Sequence, residues 1–326
     1  MASNPVNTIS FFAPIQDLLE EVENRMRVHN AEHHPDLATA LDHLLSSGGK
    51  RIRPAVTLLV GSMFHADKPR LVTLAASIEL LHTATLVHDD LIDGALLRRG
   101  IATLNAKWSP GATVLTGDYI FAQAARLAAE TESVQIVKLF SKCLSTIVNG
   151  EITQMFSGRG WISREQYQRR IYAKTASLFE TAASAAGLLT PADEAALRNL
   201  AEFGRQLGMA FQVIDDVLDF SGEQGVVGKP VASDLRQGLV TLPVICFAEQ
   251  HPDHPDLGVL SSGGFAPADS IERLLAAIRE SGAVEQASLE AEKYIEASLA
   301  ALHRLPDAPA RRNLVDLAHY IIRRRS

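Results

Sequence analysis

The chain has 326 residues, 47% of them hydrophobic, and a formal net charge of −7. The apolar fraction allows a large core, and the negative charge argues against a general nucleic-acid binder. Cys143 and Cys246 are too few for a disulfide framework and lie in apolar segments, so we expect buried, reduced thiols in a cytoplasmic protein. No signal peptide is recognisable at the N-terminus, and no uncharged apolar run of about 18 residues suggests a membrane span.

Apolar residues recur at intervals of three and four along most of the chain, a pattern that predicts α-helices. The predicted helical segments are, in chain order, 12–32, 35–47, 56–64, 69–93, 117–131, 133–156, 163–189, 191–220, 271–305 and 308–325. Two stretches, 71–93 and 200–220, are apolar nearly all round, which is typical of central helices in a large bundle. Strand patterns are nearly absent and no break is long enough to be a linker, so we expect one all-α domain over residues 1–326.

Two aspartate triads stand at the ends of apolar helical segments, in "LVHDDLIDGALLRRG" and "FQVIDDVLDF". Both have the spacing D-D-x-x-D, and their members are Asp89, Asp90 and Asp93, then Asp215, Asp216 and Asp219. Like charges three and four residues apart repel on a helix, so a single triad would be read as a solvated helix end. The presence of two triads with the same spacing favours a functional role, such as metal binding, over a solvated helix end. If the helix ends face each other, six carboxylates converge, and oxygen ligands without nitrogen or sulfur suit Mg²⁺ on a diphosphate rather than zinc.

Basic residues suited to phosphate binding recur in four segments of the chain. They are Lys50, Arg51 and Arg53 in "GGKRIRP", Arg98 and Arg99 in "LLRRG", Lys174 in "YAKTASLF" and Lys229 in "GKP". Arginine forks and lysine point charges both bind phosphate oxygens. Taken singly, "GGKRIRP" is more often an ordinary helix start with solvated charges, and Lys174 can be read as a snorkelling surface lysine. "SSGGK" is not a P-loop, because its spacing is wrong.

In this order, the motifs resemble those of the trans-isoprenyl diphosphate synthases, also called polyprenyl synthetases. The resemblance runs from about residue 40 to 325 and rests on "GGKRIRP", "HDDLIDGALLRRG", "LTGDYIFAQA", "NGEITQ", "YAKTASLF", "FQVIDDVLDF" and "GKPVASDLRQGLVTLP". It implies an all-α, single-domain helical bundle of the isoprenoid synthase type around a deep central cavity. It also implies a homodimer that joins isopentenyl diphosphate to an allylic diphosphate in the trans configuration.

The resemblance assigns roles to individual residues. About three Mg²⁺ ions would bind the allylic diphosphate through Asp89, Asp90 and Asp93 and, from the other side, Asp215 with Asp216 and Asp219. Arg98, Lys174 and Lys229 would neutralise that diphosphate. Isopentenyl diphosphate would be held by Lys50, Arg53, His82 and Arg99, with Arg323 to Arg325 closing over the site. Thr175 and Gln212 would offer oxygen dipoles to the allylic carbocation, and the leaving diphosphate would accept the proton.

Product length would be set along the helix that precedes the first triad. Short-chain members often place a bulky aromatic residue five positions before the first aspartate, where this chain has Ala84, with Thr85 beside it and Leu81 a turn deeper. A helical turn rises about 5.4 Å, or roughly one isoprene unit. The floor would then lie deeper, against Leu81, Phe121 or a neighbouring helix. We expect a product longer than farnesyl that can partition into a membrane. It would be geranylgeranyl at least, and we favour a medium or long quinone-type tail.

Some features depart from the family pattern or stay open. Leu239 replaces a lysine found in many members, so one phosphate contact would be missing. "NGEITQ" and "GDYIF" can be read as helix packing or as direct participants. A terpene cyclase and an inactive partner of a heterodimeric synthase are the alternatives. Cyclases normally lack the second complete triad and the "GGKRIRP" segment, and inactive partners lose aspartates from the triads, whereas this chain keeps all of them.

Overall fold

A computed structural model gives the fold and describes residues 10–27, 34–46, 48–98, 100–156, 160–221, 231–261 and 267–324. After a 3₁₀ turn at Ser10–Ile15, the first α-helices are α1 Gln16–Met26, α2 Pro35–Ser46, α3 Ile52–Met63 and α4 Lys68–Ile92. A short hairpin, β1 Leu97–Arg98 and β2 Ile101–Ala102, leads to α5 Leu104–Lys107, α6 Pro110–Glu130 and α7 Val134–Phe156. The helical prediction is confirmed, with this two-residue ladder as an addition.

The second half of the chain is also helical. Its elements are α8 Arg164–Ile171, a π-helical turn at Tyr172–Ala176, α9 Ser177–Leu188, α10 Glu194–Ser221, α11 Ser233–Arg236, α12 Leu242–Gln250, α13 Leu257–Ser261, α14 Ala268–Glu280, α15 Ala283–His303 and α16 Pro309–Arg323. The segment predicted as one helix over 271–305 is broken after Glu280. Gly282 provides the break, because it takes a φ of +80° that other residues rarely adopt.

The described residues divide into two compact units. The first comprises those within Met1–Leu144, Leu178–Ala201 and Leu302–Leu317, and the second those within Ser145–Ser177, Glu202–Ala301 and Ala318–Ser326. In the first unit α4 packs against α6, α3 and α1. In the second, one apolar cluster joins residues of α8, α10, α12, α14 and α15. The expectation of a single domain stays a prediction.

Helix α4 is the central element of the first unit. Every residue from 71 to 81 is buried, although the stretch includes Glu79. Among the described residues it is the one helix long and apolar enough to cross a membrane, and 67% of its most apolar window is buried inside the protein. Asp67 caps its start by accepting a hydrogen bond from the Arg70 amide at 3.1 Å. The sequence prediction of an all-round apolar helix is therefore confirmed for α4.

Candidate functional site: two aspartate triads and their basic partners

The first triad lies where α4 ends. The helix stops at Ile92 and Asp93 is its C-cap, with the Asp93 amide donating to the Asp89 carbonyl at 2.8 Å. Asp89 is half-buried, Asp93 is exposed and Asp90 is buried. Asp89 and Asp93 thus follow each other by one helical turn, as their spacing predicts, while Asp90 points into a different environment.

Asp90 forms an ion pair with Arg98. Arg98 Nε lies 2.9 and 3.1 Å from the two carboxylate oxygens, and its Nη2 lies 2.8 Å from Oδ1. The β1–β2 hairpin returns Arg98 to the helix end, and Thr103 closes it by donating to the Ala95 carbonyl at 2.7 Å. A paired, buried carboxylate of this kind is a poor metal ligand unless the arginine leaves. Arg99 lies outside the described residues.

The second triad lies in the last turns of α10, and each of its carboxylates has a different partner. Asp215 accepts a hydrogen bond from Arg324 Nη2 at 2.6 Å. Asp219 accepts from the Ser233 amide and hydroxyl, both at 3.1 Å, and from the Asp234 amide at 3.2 Å. Asp219 therefore caps α11, and this structural use was not predicted from the sequence.

Asp216 is buried and accepts a hydrogen bond at each of its two carboxylate oxygens. It accepts from the Tyr167 hydroxyl at 2.7 Å and from Gln212 Nε2 at 2.9 Å. Burial raises the pKa of Asp216 to about 7, although the hydrogen bonds from Tyr167 and Gln212 act in the opposite direction. Among the second triad, these contacts leave Asp215 as the carboxylate best able to turn to a metal ion. Sequence reasoning missed Tyr167, because no motif marks it.

Lys174 and Thr175 lie in the π-helical turn between α8 and α9. Such turns are rare and occur frequently at functional sites, because the extra residue re-aims the side chains. Lys174 is exposed and pairs with Glu151 at 3.0 Å, and Thr175 donates to Gln212 Oε1 at 2.6 Å. The three predicted catalytic residues, Lys174, Thr175 and Gln212, therefore belong to one connected region of the second unit.

The "NGEITQ" motif packs against this turn. A Cβ added at Gly150 would lie 2.5 Å from the Ala173 Cβ, so only glycine permits so close an approach. The next residue, Glu151, is the partner of Lys174. The motif thus combines a packing role with direct contact to a predicted site residue. Lys229 and the rest of 222–230 lie outside the described residues, and Leu239 is half-buried just after α11.

The "GGKRIRP" segment leads into α3 through a turn. Gly48 has a φ of +71° and Arg51 a φ of +47°. Lys50 is exposed, and the Arg53 guanidinium lies 4.7 Å above the Phe179 ring, a cation–π contact. Arg51 behaves differently from the sequence prediction that it serves a phosphate. Its Nε bonds Glu23 at 3.1 Å and its Nη1 bonds Glu79 at 3.0 Å, so the charge is already neutralised inside the unit.

The predicted chain-length residues lie on the last turns of α4. Leu81 and Ala84 are fully buried, and Thr85 donates to the His82 carbonyl at 2.8 Å. His82, predicted to hold isopentenyl diphosphate, is half-buried on the same helix. On α6, Phe121 stacks at 5.2 Å from His88, the residue before the first triad. Phe121 therefore lies near the mouth of the predicted tail path rather than at its floor.

Comparison with known proteins agrees with the family that these motifs indicate. The sequence model of the polyprenyl synthetase family matches residues 34–277. The chain belongs to the polyprenyl synthetase family. It is 37% identical to the octaprenyl diphosphate synthase of Escherichia coli over 86% of this chain and 88% of that one. It is 36% identical to heptaprenyl diphosphate synthase component 2 of Geobacillus stearothermophilus over 97% of this chain and 98% of that one.

A solved structure extends the likeness to the fold. A polyprenyl synthase from Caulobacter crescentus, complexed with calcium and isoprenyl diphosphate, matches with a TM-score of 0.88 and 30% identity, covering 99% of this chain and 100% of that one. The chain is accordingly an all-α protein of this family.

The acidic side chains of this polyprenyl synthetase suit a hard divalent cation. No group of three or more His, Cys, Asp or Glu side chains that could hold a metal ion occurs among the described residues. Of the two triads, Asp93 is exposed and Asp89, Asp215 and Asp219 are half-buried, but Asp219 is used in capping α11. The side chain of Asp215 is 40% exposed. Oxygen donors from one or two carboxylates, completed by water and phosphate, are what Mg²⁺ takes in proteins. The donor chemistry therefore fits Mg²⁺ bound together with a diphosphate.

Proposed function

We propose that this chain is a trans-prenyltransferase that condenses isopentenyl diphosphate with an allylic diphosphate and releases a product longer than farnesyl diphosphate. The observation that carries the proposal is that both complete aspartate triads and the "GGKRIRP" segment occur in one chain of the polyprenyl synthetase family. The triads serve ionisation of the allylic substrate. The basic segment serves the second diphosphate, which an elongating enzyme needs and a cyclase does not.

The product length is supported by the relatives and by α4. The Escherichia coli relative is named for an octaprenyl product and the Geobacillus stearothermophilus relative for a heptaprenyl product. On α4, Ala84 stands where a bulky side chain would block the tail, and it is buried without one. We therefore favour a medium or long chain over geranylgeranyl.

The side chains divide the chemical work. The allylic C–O bond breaks, the alkene of isopentenyl diphosphate forms the new C–C bond, and the proton lost goes to the departing diphosphate. Lys174, Arg98 and Lys229 balance the charge of that leaving group. Asp89 and Asp93 of the first unit and Asp215 of the second are the carboxylates that would hold about three Mg²⁺ ions, which would supply Lewis-acid stabilisation of the same group.

Thr175 and Gln212 stabilise the allylic carbocation that forms when the diphosphate leaves. The Thr175 hydroxyl donates to Gln212 Oε1, and Gln212 Nε2 donates to Asp216. The amide oxygen and the amide nitrogen each have a partner, so the orientation of the Gln212 amide is fixed. An oriented amide oxygen stabilises positive charge without acting as a nucleophile in the way that water would. No side-chain base is required.

The working form of the enzyme is a further part of the proposal. We propose a homodimer in the cytoplasm, with no nucleic-acid partner and a product that partitions into membranes. Both cysteines are buried and neither forms a disulfide, which agrees with a reducing compartment. The name of one relative, a "component 2", favours a second candidate, a catalytic subunit that needs a different chain.

One incubation separates these candidates. The purified chain is mixed with labelled isopentenyl diphosphate, a farnesyl or geranylgeranyl diphosphate primer and Mg²⁺, and the label extracted as prenyl diphosphate is counted. We expect incorporation that requires both substrates and stops with EDTA. Diphosphate release from the primer without incorporation would mean a cyclase or hydrolase. No reaction at all from a folded, primer-binding chain would mean a subunit that needs a second component.

A further inference from the structure

Arg51 has a backbone conformation that its side chain disfavours. It is the N-cap residue of α3, with a φ of +47° and a ψ of +30°, and its side chain makes no capping hydrogen bond. Residues with a Cβ rarely adopt this left-handed conformation unless the surrounding structure imposes it. A non-glycine residue in this position, within a turn that already contains Gly48 and Gly49, therefore calls for a local cause.

The cause lies in the side chain. The Arg51 guanidinium reaches Glu23 on α1 at 3.1 Å, Glu79 on α4 at 3.0 Å and the Leu45 carbonyl on α2 at 3.4 Å. The Arg51 side chain is 14% exposed and that of Glu79 only 6%. We call Glu23, Arg51 and Glu79 the Arg51 cluster. A buried carboxylate such as Glu79 needs its cation, so the cluster holds Arg51 in place despite the backbone strain.

The cluster lies among the residues predicted to bind isopentenyl diphosphate. Lys50 precedes Arg51 directly, and Arg53 follows it by two residues in the first turn of α3. On α4, His82 lies three residues after Glu79, on the same face of the helix, and Thr83 donates to the Glu79 carbonyl at 2.8 Å. Two segments that are distant in sequence are thus tied together by the Arg51–Glu79 ion pair.

We propose that the Arg51 cluster positions Lys50, Arg53 and His82 for the diphosphate of isopentenyl diphosphate, without touching the substrate itself. The inference rests on the proposed function and names positioning residues for that same site. It gives a reason for a buried glutamate in the most apolar part of α4. It also gives Arg51 a role different from that of Lys50 and Arg53, although the sequence alone places all three in one basic segment.

Glu79→Gln is the most informative variant, because a glutamate cannot itself bind an anionic diphosphate. The isosteric amide weakens the hold on Arg51 and leaves Glu23 in place. We expect the KM for isopentenyl diphosphate to rise about tenfold, with kcat and the KM for the primer changed less than about twofold. The double variant Arg51→Gln with Glu79→Gln leaves no unpaired buried charge and should show the same selective rise.

Arg70→Gln is the matched control. Arg70 is another half-buried arginine of the first unit, on α4, and donates to the Thr131 carbonyl at 2.9 and 2.6 Å. We expect its loss to lower the melting temperature as much as Glu79→Gln does, without changing the KM for isopentenyl diphosphate. Calorimetric titration of isopentenyl diphosphate into each protein, without primer, should reproduce the order of affinities.

The outcomes are separable. An unchanged KM for isopentenyl diphosphate in both Arg51-cluster variants, with the wild type active, overturns the inference and leaves the proposed function intact. An equal rise for both substrates, or the same rise in Arg70→Gln, also overturns it, because a general structural effect then suffices. A wild type that neither binds nor condenses isopentenyl diphosphate overturns the proposed function and the inference with it.

Discussion

Asp89 and Asp93 follow each other at the end of α4, and neither carboxylate is buried, whereas Asp90 between them is paired with Arg98. We expect Asp89→Asn to lower kcat by about 10²-fold or more, because it removes a carboxylate that would hold Mg²⁺ against the leaving diphosphate. The measurement is steady-state turnover at saturating Mg²⁺. Asp253→Asn, at an exposed loop aspartate, is the control and should keep wild-type activity. Wild-type turnover in Asp89→Asn would contradict the assignment of the first triad.

Arg324 holds the carboxylate that the second triad offers to a metal ion. Its side chain is 2% exposed, its guanidinium lies 4.0 Å above the Phe211 ring, and its Nε is buried without a hydrogen-bond partner among the described residues. A metal ion at Asp215 must therefore compete with Arg324. We expect Arg324→Gln to bind Mn²⁺ roughly fivefold more tightly in a titration followed by electron paramagnetic resonance.

The control for this titration is Arg312→Gln, an exposed arginine on α16, the helix that ends just before Arg324, and it should bind Mn²⁺ as the wild type does. Unchanged or weaker Mn²⁺ binding in Arg324→Gln would mean that Arg324 does not compete for Asp215.

The two diphosphates are predicted to have different basic partners. Arg53→Gln should raise the KM for isopentenyl diphosphate about tenfold and that for the primer much less, since a charge-assisted hydrogen bond to one substrate is lost. Lys229→Gln should show the reverse preference. Initial rates with each substrate varied in turn give both constants. Equal effects on the two substrates in both variants would refute this division of the cations.

The sequence predicted which residues form the site where they follow a recognisable motif spacing. It did not predict their hydrogen-bond partners. The D-D-x-x-D repeats located six aspartates, but their sequence environments look alike. Only the fold distinguishes Asp219, which caps α11, and Asp216, which bonds Tyr167, from Asp215. These partners come from distant parts of the chain, and periodicity within one helix holds no information about them. The same applies to Arg51, whose partners lie 28 residues away on either side.

At the scale of elements, the prediction about product chain length concerns helix α4. A small pocket in the first unit is lined by Leu80 of α4 together with Tyr119, Ile120 and Gln123 of α6. Leu80 lies about one turn deeper than Ala84, so a tail that passes Ala84 would reach the level of Leu80 next. We expect Ala84→Phe to shorten the product to about farnesyl length with a condensation rate close to that of the wild type. Product masses from farnesyl and geranyl primers test this.

A control variant must show that the shortened product comes from a bulky side chain at position 84 and not from an added phenylalanine elsewhere in the chain. Ala195→Phe, at an exposed position of α10, adds the same side chain and should leave the product distribution unchanged. If Ala84→Phe makes the wild-type product, the tail does not pass Ala84. If both variants shorten the product, the effect is not local to α4.

Long amphipathic or apolar helices were predictable from periodicity, and short or irregular elements were not. α4, α7, α10 and α16 lie close to their predicted bounds. α5 and α11 span four residues each, too few for a periodic signal, and the β1–β2 hairpin depends on the return of Arg98 to Asp90. The π-helical turn interrupts a stretch whose periodicity predicts a continuous helix, and its Ala173 packs closely against Gly150, a contact that periodicity does not show.

At the scale of the whole molecule, the all-α class and the family follow from the sequence, because motif order and helical pattern agree. The core of each unit is built largely from apolar faces that periodicity identified. The buried Leu242 to Ala248 stretch of α12 is an exception, because periodicity did not identify it. The single domain, the dimer and the central cavity stay predictions of the resemblance. They depend on how elements distant in sequence assemble, which local patterns do not encode.

The central claim is that this polyprenyl synthetase extends an allylic primer beyond fifteen carbons. The most direct test is the mass spectrum of the prenyl alcohols released from the products after the purified chain has consumed excess isopentenyl diphosphate from a geranyl primer with Mg²⁺. The account predicts a series ending in a dominant product of twenty carbons or more, and no product with EDTA. A reaction that ends at fifteen carbons would contradict the claim.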